Sequence, residues 1–297
     1  MPTRTIEQGF KAFHTKITPS DYQSGKAASH KSSITSRLEV DYNLNQLFYS
    51  GSANNGTNIS NLSDVDFFAS IPTENLKQNS ATSLRQIKEC LQDRFKNTKI
   101  YVDSPAVVLD FGSGAWDTAE VIPADYIKKT DKNKNIYDIP DGDGGWMKSS
   151  PSTHNAYVTY HNNRLGKKLK PLIRFVKAWK YYCEVPISSF YLELRVTKLM
   201  ESEESIVYDI DLKSIFQKLN NSNLAAIQDP EGVSGLIYPC SSDAAKSTAL
   251  SKLNTAMIRS QKARSAENSE NVKEAFEWWD KLFSYNFPSY YYSNEKV

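Results

Sequence analysis

Apolar positions in residues 1–150 follow two different periods, which predict a mixture of helices and strands. Three segments are predicted to be helical: 4–14, 19–40, which opens with Ser20-Asp21 as a cap, and 80–96, which has apolar residues at helical spacing. Four short apolar runs are typical of strands: 45–50, 65–70, 106–111 and 118–123. Gly112-Ser113-Gly114 joins the last two runs and predicts a hairpin. Residues 129–150 are polar and rich in Gly and Asp, which indicates a long loop.

From residue 151 onward the pattern becomes almost entirely helical. The predicted helices cover 152–163, 168–183, 188–201, 210–220, 243–260 and 267–283. The order of elements therefore indicates an α+β protein with two domains. Residues 1–150 would hold the N-terminal helices and a mixed sheet, and residues 151–297 would form a helical domain. We expect an active-site cleft between the two.

The bulk composition limits the classes of function that the chain can have. Of 297 residues, 39% are hydrophobic and 24% are charged, as in an ordinary globular protein. The 36 basic and 34 acidic residues leave a net charge of +2, which argues against strong nonspecific binding to nucleic acid. The three cysteines are too widely spaced for a disulfide framework or a zinc site. We expect a cytoplasmic protein without membrane contact, since we find neither a signal peptide nor a membrane span.

The segment 50–70, SGSANNGTNISNLSDVDFFAS, brings together the residues that carry chemistry. Gly51-Ser52 follows a predicted strand, where a glycine lets backbone N–H groups approach a phosphate and a serine hydroxyl adds a donor. Asp64 and Asp66 are two residues apart at the start of the next strand, so both carboxylates point to one face while Val65 points into the core. We expect the spacing to return these carboxylates to a position under the Gly51 turn.

Two carboxylates on one face are costly unless a cation neutralises them. Mg²⁺ (or Mn²⁺) takes oxygen ligands and bridges carboxylates to substrate phosphates. Two such ions can activate an attacking oxygen and stabilise a leaving pyrophosphate, as nucleotidyl transfer requires. An acidic turn that caps a strand is the alternative for a bare DxD pair. With GS upstream and strands on either side, we interpret the pair as a metal site.

The arrangement resembles the DNA polymerase β-like nucleotidyltransferase superfamily, in which GS is followed by DxD and by a third carboxylate on a later strand. More narrowly, it resembles the bacterial CD-NTases of CBASS antiphage systems, the cGAS/DncV-like relatives of oligoadenylate synthetase. The segments that carry the resemblance are GSANNGTNISNLSDVDFF, AEVIPADY at 119–126, IYDIPDGDGGWMKSSPSTH at 136–154, KPLIRFVKAWKYY at 170–182 and SSFYLEL at 188–194. The resemblance implies a polymerase β-like core followed by a helical bundle.

A third metal ligand is implied by the resemblance, but its identity is left open. The matching strand selects Glu120, whereas most relatives carry Asp at this place. Asp110 lies on the preceding strand and could face Glu120 across the hairpin. Either carboxylate, or both, would complete the metal site.

Contacts to the nucleotide are also implied. Besides Gly51 and Ser52, Lys177 would hold the triphosphate, and Ser189 would add a hydroxyl. Lys177 could otherwise be a solvated helix lysine, while capping by Ser189 would be compatible with phosphate binding. Ser149 falls where such enzymes read the base edge, and its short hydroxyl favours a purine nucleotide.

The function that we predict is synthesis of a cyclic di- or oligonucleotide second messenger from NTPs, with release of pyrophosphate. The product would activate a separate effector protein during phage infection. The alternatives are a nucleotidyltransferase that modifies a tRNA, a protein or a small molecule, and a linear oligoadenylate synthetase. The long segment 129–150 and the lack of an appended RNA-binding domain favour the first function. Intact Asp64 and Asp66 argue against a non-catalytic binding module, and an RNA or other activator is left open.

Overall fold

The structure, a computed structural model, describes residues 2–292. The helices are α1 (Ile6–Ile17), α2 (Asp21–Tyr42), α3 (Gly51–Asn55), α4 (Ser80–Arg94), α5 (Pro151–Arg164), α6 (Leu169–Tyr182), α7 (Ser189–Leu199), α8 (Tyr208–Asn221), α9 (Asp243–Asn268) and α10 (Val272–Leu282). The strands are β1 (Gln46–Tyr49), β2 (Val65–Ser70), β3 (Lys99–Asp103), β4 (Ala106–Asp110), β5 (Thr118–Lys129), β6 (Asn135–Pro140), β7 (Trp146–Ser149), β8 (Ile227–Gln228) and β9 (Leu236–Ile237). The predicted α+β class is confirmed.

The described chain divides into two compact units. The sheet unit comprises residues 19–159 and 231–235, and the helical unit comprises residues 2–18, 160–230 and 236–292. We predicted a boundary at 150/151 with both N-terminal helices in the first domain, so the grouping of α1 differs. Phe10 and Phe13 of α1 explain this, because both rings pack against Phe175 of α6 and Phe10 also packs against Trp279 of α10.

A mixed sheet forms the framework of the sheet unit, with strand order β1-β2-β5-β4-β3. Strands β2 and β5 are parallel, whereas the other neighbours in this order are antiparallel. The hairpin predicted for β4 and β5 is therefore confirmed. Strand β5 is 12 residues long, and its second half continues into an antiparallel meander with β6 and β7.

The long loop predicted at 129–150 is wrong, because β6 and β7 both lie within this segment. Ile136, Tyr137 and Ile139 of β6 are buried. Their apolar run is short and is surrounded by Asp, Asn, Gly and Lys residues, which dominate the local composition. Pairing with the end of β5 supplies the hydrogen bonds that make these strands stable.

The two faces of the sheet contact different parts of the unit. One face packs against α2 and α4 through a buried cluster that includes Ile34, Ile87, Val65 and Phe67. Val65 is 8% exposed, so its predicted position in the core is confirmed. Since side chains alternate along a strand, Asp66 points to the opposite face.

That opposite face carries a smaller apolar cluster farther along the strands, which includes Phe68, Ile122 and Tyr137. On this face of β2, Asp66 therefore comes before the apolar Phe68. None of the helices within residues 2–292 is both long enough and apolar enough to cross a membrane.

Candidate active site

The Gly51-Ser52 turn forms the first residues of α3, between β1 and β2. Gly51 has a φ of +50° and Gly56, which ends the helix, has a φ of +63°, both in the left-handed region that glycine adopts readily. A Cβ on Gly51 would overlap with Oδ2 of Asp66 and would lie 2.9 Å from its Cγ. The predicted return of the carboxylates to the glycine turn is therefore confirmed for Asp66.

Strand pairing places a third carboxyl group beside the two aspartates. Asp66 of β2 and Glu120 of β5 are partners in the parallel register, so their side chains share one face. Asp64 shares this face with Asp66 because the two residues are two positions apart. A side-chain hydrogen bond joins Glu120 to Asp64. The structure thus brings together three carboxyl groups from two strands, and we call them the acidic cluster (Asp64, Asp66 and Glu120).

The electrostatics of the acidic cluster reflect its crowding. Burial, together with the charges of Asp64 and Asp66, raises the pKa of Glu120 to about 9. A proton shared between the Glu120 and Asp64 carboxyl groups relieves part of this repulsion. Three groups that repel each other when ionised are suited to a divalent cation, which favours the charged form of each one.

Oxygen donors of this kind fit Mg²⁺ or Mn²⁺. Within residues 2–292, no three His, Cys, Asp or Glu side chains are placed so that they could hold a metal ion together. Mg²⁺ usually takes one or two carboxylates and completes its octahedron with water and substrate phosphates. The acidic cluster supplies the carboxylates, and the lack of a side chain at Gly51 lets the Asp66 carboxylate lie directly against the turn.

Asp110, the alternative third ligand, has a different environment. On β4 it is paired with Thr118, whereas the partner of Glu120 is Val108. Asp110 therefore does not lie directly opposite Glu120, but alternation along β4 places it on the same face of the sheet, two residues beyond Val108. Oδ1 of Asp110 accepts a hydrogen bond of 3.0 Å from the backbone N–H of Gly112, so this carboxylate stabilises the turn after β4.

Ser149, the predicted base-reading residue, is the last residue of β7. Its partner in the register is Tyr137, so the two side chains share a face. The ring of Tyr137 lies 6.2 Å from that of Phe68, which is two residues beyond Asp66. Ser149 thus belongs to the face that carries the acidic cluster, and it is partly exposed.

Lys177 and Ser189, the predicted triphosphate contacts, both lie in the helical unit. Lys177 is only 1% exposed, and its Nζ lies 3.8 Å from a carboxylate oxygen of Glu193, which is buried as well. Ser189 is partly exposed at the start of α7, and its Oγ accepts a hydrogen bond of 2.7 Å from Lys180. Lys177 is therefore not the solvated helix lysine that was the alternative interpretation.

The sequence analysis did not identify two charged residues that interact with predicted site residues. Asp103 lies on β3, a strand that we did not predict, and its charge contributes to raising the pKa of Glu120. On β3, Lys99, Tyr101 and Asp103 alternate with aliphatic residues, and this pattern could have predicted the strand. Lys180 is three residues beyond Lys177 on the same helix, and nothing in the local sequence indicates that it contacts Ser189.

Similarity to known proteins identifies the family. Residues 4–162 match the model of the SMODS family, described as the Second Messenger Oligonucleotide or Dinucleotide Synthetase domain. The chain belongs to the SMODS family. The matched region contains the Gly51-Ser52 turn and the whole acidic cluster. This SMODS protein is thus a nucleotidyltransferase, and the prediction of a bacterial CD-NTase is confirmed.

Individual relatives agree with the family. A probable cyclic nucleotide synthase of Bacillus cereus (strain VD146) is 27% identical over 236 residues, which are 76% of the SMODS chain and 69% of the relative. The structure of CdnC from E. coli MS115-1 with ATP has a TM-score of 0.73 at 18% identity and covers 95% of this chain and 98% of CdnC. Vibrio cholerae DncV cyclic AMP-GMP synthase, solved with a linear intermediate, has a TM-score of 0.65 at 16% identity, covering 82% and 70%. The two structures confirm the fold.

Proposed function

We propose that this SMODS protein joins NTPs into a cyclic di- or oligonucleotide in a reaction that depends on Mg²⁺ or Mn²⁺, with two ions at the site. The observation that carries the proposal is the convergence of Asp64, Asp66 and Glu120 beside the Gly51 turn. This arrangement suits a reaction in which the charge of the phosphates must be neutralised and the reacting groups must be positioned.

Each transfer joins a ribose hydroxyl oxygen of one nucleotide to the α-phosphorus of another. The bond from that phosphorus to the β-phosphate oxygen breaks, pyrophosphate leaves, and the hydroxyl gives up its proton. The bound cations would activate the hydroxyl and neutralise the leaving group. The acidic cluster would hold these cations, and we propose Glu120 as the third ligand because it is the register partner of Asp66, whereas Asp110 stabilises a turn.

Other residues would bind the substrate. Gly51 and Ser52 would donate to phosphate oxygens, and Ser149 would contact the edge of a purine base. Lys177 and Ser189 would contact the triphosphate. For Lys177 this requires the phosphate to approach a lysine that is already paired with Glu193.

The description of the family as second messenger synthetases supports a signalling role for the product. We propose that the product is a second messenger of antiphage signalling, which is released in the cytoplasm and binds a separate effector protein. A small cyclic product suits this purpose because it carries information between proteins that need not touch.

An assay with purified protein tests the proposal. The protein is incubated with all four NTPs, each labelled in turn at the α-phosphate, with Mg²⁺ or Mn²⁺, and products are analysed by mass after phosphatase treatment. We expect a phosphatase-resistant product that contains at least one purine. A linear, phosphatase-sensitive oligoadenylate would indicate the linear synthetase, and incorporation only after addition of tRNA or protein would indicate a modifying enzyme.

Acid-to-amide variants test the metal ligands in the same assay. Asp64→Asn with Asp66→Asn, and Glu120→Gln alone, should each lower incorporation by at least about 100-fold, because removal of even an outer partner of a metal ligand costs about 10–100-fold. Asp131→Asn is the matched control, since this exposed carboxylate lies in the turn between β5 and β6. Loss of activity in Asp110→Asn but not in Glu120→Gln would make Asp110 the third ligand. Unaltered activity of the double variant would refute the metal site.

A further inference from the structure

Ser50, the residue before the Gly51-Ser52 turn, has a buried hydroxyl group. Its side chain is 2% exposed. Within residues 2–292, the structure provides no hydrogen-bond partner for its Oγ. A buried polar atom that is left unsatisfied destabilises the folded protein, so such an atom is expected to be rare and to have a reason.

Helix capping does not explain Ser50. It is the N-cap residue of α3 but makes no side-chain capping bond. At other helix starts, such as Thr5 and Ser20, the side chain accepts a hydrogen bond from a backbone N–H of the first turn. Serine is a favoured N-cap because of that bond. Capping therefore does not use the Ser50 hydroxyl.

Strand pairing shows what lies beside Ser50. Its backbone N–H donates to the carbonyl oxygen of Asp66 at 2.9 Å, which continues the antiparallel register of Tyr49 with Phe67 by one residue. Residues that are opposite each other in an antiparallel pair have side chains on one face, with Cβ atoms about 4.5–5.5 Å apart. Ser50 is thus the neighbour of Asp66 on one side, as Glu120 is on the other.

We propose that Ser50 is a positioning residue for the metal site, whose hydroxyl donates to the Asp66 carboxylate and holds it in the orientation of a ligand. This inference rests on the proposed metal-dependent function. A serine hydroxyl reaches a different partner by rotation about one bond, and a carboxylate is the strongest acceptor near Ser50. Partners of metal ligands commonly orient them in this way, and their loss weakens metal binding by about 10–100-fold.

The stability of the metal-free protein distinguishes a positioning role of Ser50 from a purely structural role. Replacing Ser50 by Ala removes a buried polar atom that has no partner in the metal-free fold. The variant should therefore be as stable as the wild type, or more stable, without metal. A serine with a structural hydrogen bond should behave in the opposite way. Ser83 is such a residue, since it is 2% exposed and its Oγ accepts from the backbone N–H of Lys77 at 2.8 Å.

Binding of Mn²⁺ in the absence of nucleotide, measured by electron paramagnetic resonance, tests the inference. Thermal unfolding without metal is measured on the same samples. We expect Ser50→Ala to weaken Mn²⁺ binding by at least about tenfold without loss of stability. Ser50→Thr, which keeps the hydroxyl, should bind within about threefold of the wild type. Ser83→Ala should lose stability but bind Mn²⁺ normally.

Three outcomes would overturn either the role of Ser50 or the metal site. If Asp66→Asn abolishes Mn²⁺ binding but Ser50→Ala binds like the wild type, the role of Ser50 is refuted and the metal site stands. If the wild type shows no Mn²⁺ binding that Asp66→Asn removes, the metal site itself is refuted. Weak binding by Ser50→Ala together with a large loss of its metal-free stability would also overturn the inference, because it would indicate a structural role.

Discussion

Replacing Gly51 by Ala should lower activity by about 100-fold and should destabilise the fold by only roughly 1–2 kcal/mol. The φ of +50° at Gly51 is unfavourable for alanine by roughly 1–2 kcal/mol. The new Cβ would also lie 2.9 Å from Cγ of Asp66. A carbon–carbon contact needs about 3.5–4.0 Å, so the carboxylate must retreat by about 0.6–1.1 Å. A displacement of about 1 Å at a reacting centre can lower the rate by about 100-fold.

Gly56→Ala provides the matched control. Gly56 ends the same short helix with a φ of +63°, and an added Cβ there meets no atom within 4 Å. Both variants should therefore lose about the same stability, which thermal unfolding measures as about 2–4 °C per kcal/mol for a unit of this size. Only Gly51→Ala should lose incorporation of labelled NTP. Equal activity in the two variants, or full activity in Gly51→Ala, would refute the reasoning.

Three further outcomes concern the rest of the chain. Lys177→Met should lower the free energy of unfolding in urea by about 3 kcal/mol, because the buried Glu193 carboxylate loses the cation that lies 3.8 Å away. Adding Glu193→Leu should restore most of this stability. An equal or larger loss in the double variant would contradict the prediction. Burial and the charge of Arg174 lower the pKa of His14 below 6.5, so the fold favours the neutral imidazole. The contribution of neutral His14 to the free energy of unfolding should be fully present above pH 6.5 and should decline as the pH falls through the lowered pKa. His14→Gln should reduce this decline, as unfolding measured at several pH values would show. An unchanged dependence of the free energy of unfolding on pH would contradict the assignment. Burial raises the pKa of Cys90 to about 12, so iodoacetamide at pH 8 should alkylate it only after unfolding, as peptide mass mapping would show.

The sequence was most informative where chemistry depends on neighbours in the chain. Gly51, Ser52, Asp64 and Asp66 lie within one short segment, so residue type and alternation predicted their shared face and their approach to each other. Val65 was assigned to the core for the same reason. These inferences need only a turn, a strand and the period of two.

Features that depend on contacts between residues far apart in the chain could not be predicted from the local sequence. The partner of Asp110 is Thr118 because of the register that β4 adopts against β5, and hairpin composition does not fix that register. The burial of Lys177 depends on Glu193, which lies on the next helix. Strands β6 and β7 are stabilised by the end of β5, so their polar composition resembled that of a loop.

The parallel pairing of β2 with β5 has a consequence for how this protein can change over evolutionary time. Strands β2 and β5 are neighbours in the sheet, but α4, β3 and β4 lie between them in the chain. Insertions or deletions in that intervening stretch leave the acidic cluster intact as long as Asp66 stays opposite Glu120. A shift of one residue in the same pairing would turn Glu120 to the other face and separate it from both aspartates. The length of the segment between β2 and β5 can therefore vary, whereas the register of the two strands is strongly constrained.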